Sequence, residues 1–266
     1  EMTYSAGAEK IGGAIAESVK PRYNGPAADV GVLESLIVEG VNKKGGQATK
    51  GTIFRFDCSA EGVAVSVDGS MQGTAKFDGM GSAFVDVFLD DDAVSPTLVS
   101  SCMDTWSNPQ AKAMAASLLE LDEAENNANT DEDDVGDSGD EGLAAHLTEV
   151  EAQIKPIQEY ATSITFEPTL DNGLYLVGAG VRKKSVIKVY AVAMYSTPQV
   201  LASATSHSSL HDAARTFESS SSMTSFVLEM GDSAGAEKIA GAIAESVKPR
   251  YNGDSSDVGV LESLIV

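Results

Sequence analysis

Apolar residues recur along the chain in two rhythms, and the change from one to the other marks its elements. Ile239, Ile243 and Val247 fall at i, i+4 and i+8 on one helix face, and Val258, Leu261 and Ile265 make a second stripe of helical spacing. Pro249 ends the first run, because proline cannot donate the amide that a helix interior requires. The same stripes stand at Ile11, Ile15, Val19 and at Val30, Leu33, Ile37. Period two governs GTIFRFDC (51–58) and GVAVSVDG (62–69), which face each other across Ser59 to Glu61 and predict a hairpin; QGTAKF (72–77) adds a third arm. Residues 171–196 read as a longer hairpin turning near Arg182 to Ser185. Its second arm, Val186 to Tyr195, is apolar but for Lys188 as its single charge, the pattern of a central strand covered on both faces. ATSITFEP (161–168) suits an edge strand because it ends at a proline, and SSMTSFVLEM (221–230) is another strand. Helices are predicted at 81–90, at 95–106 with Ser95 as cap and Pro96 at the first position, at about 197–203, and at 208–218 opened by Ser208 or Ser209. Strand runs flanking a helical middle imply an α+β fold, an antiparallel sheet with helices on one side.

The duplicated helical stripes belong to a longer repeat. Residues 229–266 restate residues 1–38 at an offset of 228, differing only at Thr3, Tyr4, Gly12, Pro26, Ala27 and Ala28. A unit of that length is one ordinary domain plus a linker, not a solenoid turn. The chain therefore reads as an out-of-phase slice through a tandem array: 1–106 as the C-terminal half of one unit, 107–158 as an acidic linker, helical or disordered, and 159–266 as the N-terminal half of the next. On this reading 160–232 and 5–106 close into one permuted domain that uses one helical copy and leaves the other displaced. Which copy docks, how many units the parent holds and the compartment stay open.

Charge narrows the function. The net charge is −22, and 11 of the 22 residues in 120–141 are acidic with no Lys or Arg among them. Such a block buries too little apolar surface to offset its chain entropy, so a solvated tether is expected. Nucleic acid is disfavoured as a partner, since phosphate binding needs clustered Lys and Arg, and no run of 18 apolar residues offers a membrane span. Cys58 and Cys102 lack any paired spacing and read as reduced, buried thiols. His207 and His211 share a helix face without a third ligand, which favours a solvated face over a metal site. The acidic run 131–142 places Val135 where a calcium loop needs an oxygen ligand. Neither GAGVRK nor GMGSAF completes a dinucleotide fingerprint. No metal and no cofactor is expected.

The order of motifs resembles the chalcone-isomerase family, and more closely its non-plant and fatty-acid-binding branches. The pieces that carry the resemblance are GAGVRKKSVIKVYAVAMY (178–195), SAGAEKIAGAIAESVKPRY (233–251, with its first copy at 5–23), GTIFRFDCSAEGVAVSVDG and GSAFVDVFLDDDAVSP. It covers the whole unit except the linker. It implies an open-faced β-sandwich, a large antiparallel sheet under a layer of helices with a ligand cleft between them. Plant isomerases of this family cyclise a chalcone phenolate, using an arginine after a Gly-x-Gly-Val run to hold the developing anion, and Arg182 matches that arginine. The family's catalytic threonine falls on Tyr190, its catalytic tyrosine near Ile239 or Ile11, its helix asparagine near Ser246 or Ser18, its late-helix polar residue near Val87, and its strand lysine near Met230 or Met2. Isoleucine, valine and methionine side chains cannot donate the hydrogen bonds those roles need. Several lost donors, each worth about 10²–10³ in rate, would abolish cyclisation.

The resemblance therefore implies a ligand-binding unit with no catalytic residue assigned. Arg182 is either an anchor for a carboxylate through a charge-assisted fork or a solvated turn arginine. Tyr190 is either a second contact to the same ligand or a core aromatic. Lys188 shares the strand face of Tyr190 and either adds charge to the site or snorkels at the sheet edge. Three functions follow: a module that binds a fatty acid or similar apolar carboxylate; an intramolecular lyase acting on another substrate; and a structural repeat with a filled core.

Overall fold

The computed structural model describes residues 6–107, 109–128, 154–184, 187–217 and 222–231, with the backbone alone at 6, 110, 121–128, 184, 187 and 188. The second repeat copy from 232, the acidic run 131–142 and His146 lie outside the described residues.

The fold is α+β around a six-stranded antiparallel sheet. Its strands are β3 (Ile53–Ser59), β4 (Gly62–Val67), β5 (Ser70–Ala75), β8 (Tyr175–Lys184), β9 (Ile187–Ser196) and β10 (Thr224–Met230), in the order β5-β4-β3-β10-β9-β8. Two short pairs stand apart: β1 (Ala6–Gly7) with β2 (Gln47–Ala48), and β6 (Ile157–Glu159) with β7 (Ile164–Phe166). The segment expected at a sheet edge, 161–168, thus pairs with β6 in its own hairpin instead of joining the large sheet. The apolar arm 186–195 is central as its sequence predicts: β9 lies between β8 and β10, and Tyr190 to Ser196 are all buried.

Seven helices among the described residues complete the unit: α1 (Ala8–Val19), α2 (Ala27–Lys43), α3 (Met80–Leu89), α4 (Pro96–Trp106), α5 (Pro109–Ala128), α6 (Pro198–Ser203) and α7 (His207–Arg215). The first copy of the repeat supplies α1 and most of α2. It buries Ala8, Ile15, Ala16, Val19, Val30, Leu33 and Ile37 in the core shared with the sheet. Phe84 and Phe88 of α3 stack on Phe56 and Phe226 at 4.7 and 4.5 Å between ring centroids, joining helix and central strands. A second, smaller cluster holds Ala179, Ala191, Ala193 and Tyr195 against Phe166 of β7. The start of the stretch read as linker holds α5, which packs on α6. The cap of α7 is Ser206, not Ser208 or Ser209: its hydroxyl accepts from the Ser209 amide while Ser209 Oγ accepts from the Ser206 amide, a reciprocal box.

Helix α4 lies against β8, a strand with a strand neighbour on one side only. Trp106 Nε1 donates to the Val177 carbonyl at 3.0 Å, Ser101 Oγ accepts from the Ala179 amide at 3.1 Å, and Thr97 Oγ1 accepts from the Val181 amide at 3.0 Å. Ser95 Oγ donates to the Val181 carbonyl, so this predicted cap residue serves the strand in place of its own helix. Backbone groups of an edge strand that would otherwise seek water or another chain thus find partners on a helix. The approach is close enough that a Cβ at Gly180 would sit 2.3 Å from the Leu98 amide nitrogen, and one at Gly178 would sit 2.6 Å from Cys102. The glycines of GAGVR are therefore packing residues.

Gly180→Ala is expected to lower stability by about 1–3 kcal/mol, as overpacking against backbone does, whereas Gly31→Ala in α2, where an added Cβ meets nothing within 4 Å, is expected to raise it by about 0.5–1 kcal/mol. Urea denaturation followed through Trp106, the chain's single tryptophan, measures both.

Candidate functional site

At its far end β8 carries Arg182, which stands opposite Tyr190 of β9, with a break in register just beyond it between Arg182 and Lys183. Bulges of this kind re-aim side chains. Arg182 Nη1 donates to Tyr190 Oη and to Ser18 Oγ, each at 3.3 Å, and the guanidinium carbon lies 5.9 Å from the Tyr190 ring centroid. Ser18 comes from the last turn of α1. The structure thus brings together three positions the resemblance assigned to one site: Arg182, Tyr190 and the serine in place of the family's asparagine. The side chain of Lys188 lies outside the described residues, while its backbone pairs with Lys183.

Tyr190 is 5% exposed, and this burial pushes its phenol above the ordinary value of 10.0 against the opposing pull of the Arg182 charge and hydrogen bond. It is a core aromatic and an arginine partner at once. Arg182 itself is half-buried. Among the described residues the other arginines all meet carboxylates: Arg22 with Asp90, Arg55 with Asp57 and Asp171, Arg215 with Asp86. No carboxylate among the described residues pairs with Arg182; its described partners are hydroxyls.

The remaining family positions offer no polar chemistry. Val87 is 3% exposed in the core, and Ile11 and Met230 pack against it. Described residues line hollows in two places. One is an open hollow of about 590 Å³ along α2, and the other, of about 110 Å³, lies between α6, α7 and the start of β10, bordered by Val200, Ala214, Phe217 and Met223. Arg182 lines neither.

Sequence reasoning missed a second polar cluster, on α3 and α7. His211 Nε2 bonds Asp86 Oδ1 at 2.7 Å and His207 Nε2 bonds the Leu89 carbonyl at 2.5 Å, so these histidines hold α7 on α3 instead of facing solvent. Beside them, Arg22 forks onto Asp90 at 2.7 and 2.9 Å and also donates to the Asp92 carbonyl. Burial alone would raise the Asp90 carboxyl, but the bonds and charge of Arg22 hold it below the usual range. These pairs join residues 68 and 125 positions apart, which no local motif signals. Among the described residues, no group of three or more His, Cys, Asp or Glu is arranged to hold a metal ion, and no helix is long and apolar enough to cross a membrane. Cys58 and Cys102 are free and buried, and burial pushes both thiols up.

No family model, curated protein or solved structure matches the chain.

Buried phenols and thiols make the fold sensitive to alkali. Tyr190 and Tyr195 are held protonated above 10.0, chiefly by burial, as are the two thiols above 9.0, whereas the unfolded chain ionises at those ordinary values. Above them the unfolded state binds fewer protons than the folded one, so stability falls with rising pH. The urea midpoint is expected to be level from pH 7 to about 8.5 and to drop steeply beyond about 9–10.

Proposed function

We propose that the unit is a non-catalytic member of the chalcone-isomerase fold class, an open-faced sandwich that binds a fatty acid or similar apolar carboxylate with Arg182 on its headgroup. The observation that carries this reading is the company Arg182 keeps. In a chain with 40 acidic and 18 basic residues, a half-buried guanidinium bonded only to hydroxyls among the described residues is a cation left for an external anion. Tyr190 and Ser18 hold the fork in place, so a carboxylate meets a preorganised donor. Apolar residues at Ile11 and Val87, where the isomerases use polar ones, suit an acyl chain and not an enolate.

A second reading is a structural repeat whose polar triad only ties α1 to the sheet; it is favoured by the position of the α2 hollow and of the α6–α7 cavity, neither of which Arg182 lines.

Native mass spectrometry with saturated fatty acids of graded chain length separates the two. Binding that falls about 10–100-fold in Arg182→Ala, the loss of one charge-assisted fork, supports the first reading; no uptake by the parent chain supports the second. On either reading, a naringenin-type chalcone is expected to turn over no faster than in buffer.

A further inference from the structure

We propose that the seat filled by residues 6–38 also accepts residues 234–266 of the same chain, so that two copies of one helical segment compete for one place on the sheet. The demands of the seat are explicit. It buries Ala8, Gly12, Ile15, Ala16, Val19, Val30, Leu33 and Ile37, and the second copy offers the same residue at every one of these positions except the second, where Ala240 replaces Gly12. It binds Arg22 through Asp90 and the Asp92 carbonyl, and Ser18 through Arg182; Arg250 and Ser246 repeat both.

The covalent path is short. Strand β10 ends at Met230, whose amide donates to the Thr52 carbonyl and whose carbonyl accepts from the Gly51 amide. Gly51 follows closely on β2, and β2 pairs with Ala6–Gly7 at the start of α1. The end of β10 therefore lies beside the entrance to the seat. Glu229 and Met230, the counterparts of Glu1 and Met2, already stand in β10. The few residues between Met230 and Ala236, spanning about 3.3–3.6 Å each when extended, bring the second copy to the position of Ala8.

The six differences set the balance between the copies. A Cβ at Gly12 would lie 2.7 Å from Val38 Cγ2 and 3.2 Å from the Glu34 carbonyl. Ala240 therefore forces the two helices of the segment apart when the second copy is seated, which favours the first. Against this, Asp254 stands where Pro26 makes no side-chain cap, and aspartate is among the best N-caps. The result is an exchange between near-equals, independent of any ligand.

The test uses the full chain. Val19 is fully buried, and Val247 is its counterpart. Val19→Asp alone is expected to keep native circular dichroism and a cooperative Trp106 transition, because the second copy takes the seat, while Val19→Asp with Val247→Asp loses both. Within Val19→Asp, the pair Arg250→Cys and Asp90→Cys is expected to form an intrachain disulfide on mild oxidation, as Arg22→Cys with Asp90→Cys does in the otherwise unaltered chain. The proposal is overturned if Val19→Asp alone unfolds as fully as the double variant, or if the double variant is as stable as the single. It is equally overturned if the disulfide between positions 90 and 250 fails to form or forms only between chains.

Discussion

The close lie of α4 on β8 is the constraint from which most of the architecture follows. An edge strand offers a row of amides and carbonyls, and a hydrogen-bonding helix can answer them only if its axis comes near the strand. Gly178 and Gly180 permit that approach, since a Cβ at either would fall within 2.6 Å of helix atoms. Ser95, Thr97, Ser101 and Trp106 then bond successive outer groups of the strand. With β8 secured, β9 becomes central and can be apolar on both faces, and the phenylalanine stack joins α3 to β3 and β10. No buried side-chain nitrogen or oxygen among the described residues is left without a partner, which is what a polar rail under a helix requires if it is to stabilise the fold.

The same strand delivers Arg182. Having been held along its length by α4, β8 breaks register just beyond this residue and turns it towards Tyr190 and the last turn of α1. Helix α1 is thus tied at one end by two arginines of different character. Arg22 is neutralised by Asp90 and serves docking. Arg182 meets hydroxyls, and among the described residues no carboxylate pairs with it. Its guanidinium also lies over the Tyr190 ring, so among the described residues the two strands and α1 meet around one half-buried cation.

Much of the fold was legible in the residues. The alternation of 51–58 and 62–69, the stripes of 11–19 and 30–37 and the apolar arm before Tyr195 each mapped onto the expected element, because period and burial are local properties of a strand or helix. Errors arose where a partner decides. The segment 161–168 looks like any edge strand, and only its pairing with β6 shows that it stays outside the large sheet. His207 and His211 look like a solvated pair until α3 supplies Asp86 and the Leu89 carbonyl.

By itself the sequence determined the duplicated segment and the α+β class, since identity at a constant offset and periodicity need no coordinates, while the candidate trio of Arg182, Tyr190 and Lys188 came from the resemblance. Only the tertiary structure decided that the first copy occupies the seat, that the glycines before Arg182 admit a close helix, and that Arg182, unlike the other described arginines, pairs with no described carboxylate. Those outcomes depend on which distant groups come within a few ångströms, and linear spacing carries no record of that distance.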